Sequence, residues 1–139
     1  MRTVTRLMLV ATLITGGCND VTFGGLSEDD LAGRYEASAI LIIEGGTSTN
    51  IVEQGATIDI LLNANGSTTG TMFIPGGNDD GSNLTASLAG SWDYNGSMVT
   101  FSHSADTFLR DMDFTPLSNR LVGDATFSGT RIIVTLVRR

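Results

Sequence analysis

The chain has 139 residues, about one domain's worth, and 41% of them are hydrophobic, which excludes extended disorder over most of its length. Its formal charge is −7 and all eight basic residues are arginines, so no basic stripe exists for nucleic acid, and electrostatic docking of the whole chain on anionic lipid is disfavoured. Glycine is abundant (17) and proline rare (2), which suits many tight turns. A single cysteine leaves no internal disulfide to form.

Arg2 and Arg6 give the chain a positive start, Leu7 to Ile14 are apolar except for Thr12, and "TGG" (15–17) leads into Cys18. That order of charge, short apolar run and small residues is a secretory signal, and the run is too short to span a bilayer. With cysteine at the cut, the stretch resembles the lipobox of bacterial lipoproteins; Gly16 and Gly17 fit it, and Thr15 departs from the commoner leucine. The resemblance implies that Cys18 becomes the mature N-terminus and carries fatty acyl chains, palmitate among them, as a membrane anchor. The alternative is an ordinary signal peptide cut elsewhere, leaving Cys18 as a stray thiol. Asn19, where aspartate would favour the inner membrane, points in that family to the outer membrane facing the periplasm. The chain thus divides into a signal peptide (1–17), a lipidated tether (18–26) and a folded domain (27–139). Losing residues 1–17 removes two arginines and no acid, so the mature chain is more acidic still.

Within the domain, Ser27 with Asp30 three residues on predicts a capped helical turn, supported by Glu28 and Asp29 and stopped at Gly33. Period-two patterning then predicts eight strands. Residues 34–44 set Tyr35, Ala37, Ala39, Leu41 and Ile43 on one face; residues 56–62 set Ile58, Ile60 and Leu62 together. Asn65-Gly66 turns into a strand at 67–74, closed by Pro75-Gly76-Gly77, and the polar loop 76–83 follows. Residues 84–94 align Leu84, Ala86, Leu88, Gly90, Trp92 and Tyr94; after Asn95-Gly96 come strands at 97–102, 107–115, 120–127 and 131–137. The expected fold is all-β, an antiparallel eight-stranded up-and-down barrel behind a short helical turn. Eight strands close around either packed side chains or one small ligand.

"LAGRY" (31–35), a helical turn running into Gly-x-aromatic, resembles the start of a lipocalin, with Tyr35 where that family has tryptophan. The resemblance implies a basic residue packed on that aromatic, either Arg131 or Arg138. "LAGSW" (88–92) echoes the motif. The favoured function is binding of a small apolar or amphiphilic molecule inside the barrel; the alternative is a solid-cored barrel serving as an interaction or structural module of the cell envelope.

Strict alternation puts Arg110 on the apolar face with Phe108, Met112 and Phe114, where a cation is costly unless it meets an anion. Arg110 could therefore clasp a carboxylate, with Tyr35, Trp92, Tyr94, Phe101 and Met112 lining the cavity. Equally, it could sit at the mouth, snorkel to solvent, pair with Asp124, or be turned outward by a bulge. Catalysis finds little support, and no catalytic residue is assigned. His103 lies in the polar turn "SHSAD" near Ser102 and Asp106, and Asp111 and Asp113 share a face that points to water. "NDDGSN" (78–83) lacks EF-hand spacing and reads as a solvated loop, no Cys/His cluster exists for zinc, and no cofactor is implied.

Overall fold

A computed structural model describes residues 25–139; Cys18, the signal peptide and the tether as far as residue 24 lie outside the described residues. A helical turn, α1 (Glu28–Leu31), precedes ten strands: β1 (Gly33–Glu44), β2 (Thr47–Asn50), β3 (Thr57–Leu62), β4 (Ser67–Ile74), β5 (Leu84–Ser87), β6 (Gly90–Tyr94), β7 (Val99–His103), β8 (Phe114–Leu117), β9 (Arg120–Phe127) and β10 (Thr130–Arg138). They form one antiparallel sheet that closes when β10 pairs with β1. Ten strands fill eight positions because two positions are shared: β2 and β3 both pair with β1, and β5 and β6 both pair with β4. The expected eight-stranded antiparallel barrel is therefore present. The segment read as one strand at 84–94 is broken between Ser87 and Gly90, and β2 is an addition.

The lower end of the barrel holds α1, the start of β1, the turns at 63–66, 95–98 and 118–119, and the C-terminus. Ser27 caps α1 reciprocally, accepting from the Asp30 amide while its own amide donates to the Asp30 carboxylate. Leu31 is buried, so this turn plugs the lower mouth, and the Tyr35 hydroxyl donates to the Leu31 carbonyl at 2.9 Å. Arg138, paired in register with Tyr35, donates to the Asp30 carbonyl at 2.6 Å and to that of Ala32, satisfying carbonyls that α1 leaves unpaired. Of the two arginines considered for the place beside the aromatic, Arg138 takes it; Arg131 pairs with Asp124 at 2.6 Å on the outer wall.

Two sequence readings need correction. In β1 the expected face holds only as far as Ala37, because Ser38 has no partner on β10. This one-residue bulge flips the alternation, turning Ile40 and Ile42 to the core and Leu41 and Ile43 outward. Residues 107–115 do not form a strand: 108–111 are a turn, and β8 begins only at Phe114. The loop 104–113 fills the space where β7 and β8 diverge, burying Thr107, Leu109 and Met112. Met112 enters so closely that a Cβ on Gly123 would lie 2.5 Å from its sulfur.

β7 and β8 share one paired position, Val99 with Phe114. Packing seals the rest of that seam: the rings of Phe101 and Phe114 meet edge to face, centroids 5.2 Å apart, and both are buried. Phe114→Ala is expected to cost about 3–5 kcal/mol in urea unfolding, whereas Thr69→Ala on the exposed wall should stay within about 0.5 kcal/mol of the parent.

Candidate functional site

The barrel interior is occupied by side chains. Tyr35, Trp92, Phe101 and Met112, expected to line a ligand cavity, are buried core residues, and Tyr94 is half-buried at the lower end. The Trp92 indole N–H is committed to the Asn63 carbonyl at 2.8 Å. Arg110 does not point into the barrel. It lies in the 108–111 turn, half-exposed, with its guanidinium 2.7 Å from Asp106 and 3.3 Å from Asp111, and both acids hold its proton more firmly. Its ion-pair partners are thus the local acids Asp106 and Asp111 rather than Asp124. Regular alternation failed here because Leu109 and Met112 are buried at a turn's spacing of three.

His103 is not in a polar turn either. It ends β7 pointing inward, 7% exposed, with Nε2 2.7 Å from the Thr107 hydroxyl and Nδ1 without a partner among the described residues. Ser102, its strand neighbour, faces solvent, so the two side chains lie on opposite sides of the wall and cannot act as a nucleophile and base. Asp111 and Asp113 are exposed as expected, and the polar loop 78–83 is solvated, with the Asp80 carboxylate turned back on Ser82. Among the described residues, no group of three or more acidic, histidine or cysteine side chains could hold a metal.

The geometry offers a site outside the barrel. Beyond Glu36, β1 leaves β3; it rejoins a neighbour on that edge only at Leu41, which pairs with Asn50, the last residue of β2. The 3-10 turn Ile51–Gln54 spans the fork, capped by the Asn50 side chain, which also accepts from the Ile40 amide at 3.1 Å. A groove of about 400 Å³ opens there, lined by Glu36, Ala37, Val52, Ala56, Thr57, Ile58, Asp59 and Thr71. Ala37, Val52 and Ala56 give it apolar surface, and the Thr57 and Thr71 side chains are exposed. Its two carboxylates are balanced by arginines: Arg34 forks onto Asp59, and Glu36 lies 2.9 Å from Arg139 and 3.3 Å from Arg34. The Arg34 hydrogen bonds hold the Asp59 carboxyl below the usual carboxylate range against partial burial. At neutral pH it is an acceptor with no proton to give. The groove therefore presents hydroxyls, carboxylates and a small apolar floor to whatever approaches it. Sequence reading passed over Glu36, Thr57, Asp59 and Thr71 because each looks like an ordinary outward residue. The fork joins segments twenty residues apart, and no local pattern announces it.

No family model, curated protein or solved structure matches the chain.

His103 sets a pH dependence. Burial pushes the imidazole below its ordinary value, the Arg110 charge adds to this, and Asp111 opposes it weakly. The folded state thus binds its proton less readily than the unfolded chain, and stability present above about pH 6.5 is lost as pH falls toward the folded pKa. Urea midpoints measured from pH 7.5 to 5 should decline for the parent and stay flatter for His103→Gln.

Proposed function

We propose that this chain is an envelope lipoprotein, acylated at Cys18 and resembling bacterial lipocalin-like proteins in plan. On this reading its solid barrel is an interaction module, held by its anchor at the outer membrane and facing the periplasm. The observation carrying the choice of module over luminal carrier is the filled interior, combined with a groove on the outer wall at the β1–β3 fork. A carrier of amphiphiles needs a lumen that can empty. Here Leu31 occupies the lower mouth and Leu109 and Met112 the upper region, while the β1–β3 fork presents mixed polar and apolar surface to a partner's side chains. No step of catalysis belongs to this reading, and no cofactor is required.

Native mass spectrometry of the protein purified from its own membrane tests both halves. The expected spectrum shows a chain beginning at residue 18, heavier by its acyl groups, with no small molecule retained after detergent removal. An unmodified Cys18 would refute the anchor, and a stoichiometric amphiphile released on unfolding would restore the luminal carrier.

A further inference from the structure

Among the described residues, two large apolar side chains are exposed, Leu61 at 38% and Leu117 at 41%. Both point outward from the lower end, Leu61 one residue before β3 ends and Leu117 at the last position of β8. In the ring order β1, β3, β4, β6, β7, β8, β9, β10, these two strands stand four places apart, on opposite sides. Each leucine lies beside an arginine on the neighbouring strand: Leu61 is in register with Arg34, and Leu117 with Arg120. With Arg138 and Arg139, four of the six arginines among the described residues gather at this end of an acidic protein. Arg120 makes no ion pair among the described residues, and Arg34 is more than half exposed despite its contacts with Asp59 and Glu36.

The described chain also begins at this end. Gly25 lies beside Tyr94 and Gly96, at the lower β6–β7 turn. Seven Cα steps separate it from Cys18, so an extended tether reaches at most about 25 Å. An anchor on Cys18 would thus keep the lower end within reach of the bilayer.

We propose that the lower rim is a second lipid contact, in which Leu61–Arg34 and Leu117–Arg120 seat the barrel upright on a phospholipid surface. The leucines enter the headgroup–acyl boundary, and the arginines meet the phosphates just above it. Two such pairs on opposite sides set an axis rather than a pivot. Glu28, Asp29 and Asp30 of α1 share this end, so the contact relies on the phosphate common to phospholipids and gains little from net-anionic headgroups. This inference rests on the anchor proposed above and says how the anchored domain stands.

The test uses the acylated full-length mature chain in phosphatidylethanolamine–phosphatidylglycerol vesicles, with single nitroxide labels at Thr69→Cys (beside Leu61), Ser118→Cys (beside Leu117) or Thr47→Cys (at the upper end). Acylation of Cys18 leaves the introduced thiol as the one that reacts. Collision with an aqueous nickel reagent is expected to fall several-fold at 69 and 118 on vesicles relative to detergent, with 47 unchanged. Adding Leu61→Ser and Leu117→Ser should restore accessibility without changing the far-ultraviolet circular dichroism. If 69 and 118 stay as accessible as 47 while the protein floats with the vesicles and carries its acyl mass, the seated barrel is overturned and the anchor stands. If the acyl mass is missing and the protein does not float, the anchor fails and takes this contact with it.

Discussion

Closing the ring between β7 and β8 is the constraint on which the rest of the molecule depends. Every other junction is held by several paired residues or by two strands sharing one edge, whereas this one has a single pair, Val99 with Phe114. What backbone hydrogen bonds do elsewhere, aromatic and aliphatic packing does here: Phe101 on Phe114, then Leu109 and Met112 from the intervening loop. An antiparallel sheet left open at that point would expose two edges prone to pairing with other chains. The side chains that close the seam are also the ones that fill the interior, so closure and a vacant lumen exclude each other in this sequence.

The two ends of the barrel are sealed by different means. At the lower end the device is polar and local: a reciprocal cap on α1, the Tyr35 hydroxyl on the Leu31 carbonyl, and Arg138 reaching back to the carbonyls of Asp30 and Ala32. At the upper end it is an inserted loop with one buried polar bond, His103 to Thr107, and an imidazole nitrogen that has no partner among the described residues. The lower seal ties the first and last strands together and is independent of any histidine. The upper seal carries the only imidazole in the chain and so feels mild acid. Any functional surface that must hold its shape across a range of pH is better placed low on the wall.

Much of this was legible in the residues, for identifiable reasons. Asn65-Gly66 and Asn95-Gly96 fall at hairpin turns, Ser67–Ile74 is a strand with the bounds read from its pattern, and Leu84 to Tyr94 keep one face across the break between β5 and β6. These features are local, and short-range periodicity reports them faithfully. The errors arise where one residue or one long-range contact decides. Ser38 adds a residue to one strand and inverts every side chain after it, which hydrophobicity alone cannot reveal in the run "AILII". "TFLRDMDF" alternates well enough to look like a strand, yet its burial follows a turn, because the gap it fills is created by strands elsewhere in the chain. Arg110 went with it: once the strand is gone, so is the reason to place a cation among hydrophobes. The groove at the fork was invisible for the same reason, being a product of β1 changing neighbours between Glu36 and Leu41.

The bulge at Ser38 has one more consequence. Because the chain beyond it runs out of phase with the chain before it, β1 behaves as two half-strands joined by a spare residue, each with its own inside and outside. Loss of that one codon would leave composition and charge almost untouched and, by making the strand regular, would keep Ile40 and Ile42 at the core in their present register with β10. The spare residue is thus what lets Tyr35 and Ala37 share the interior with Ile40 and Ile42, three positions on rather than two.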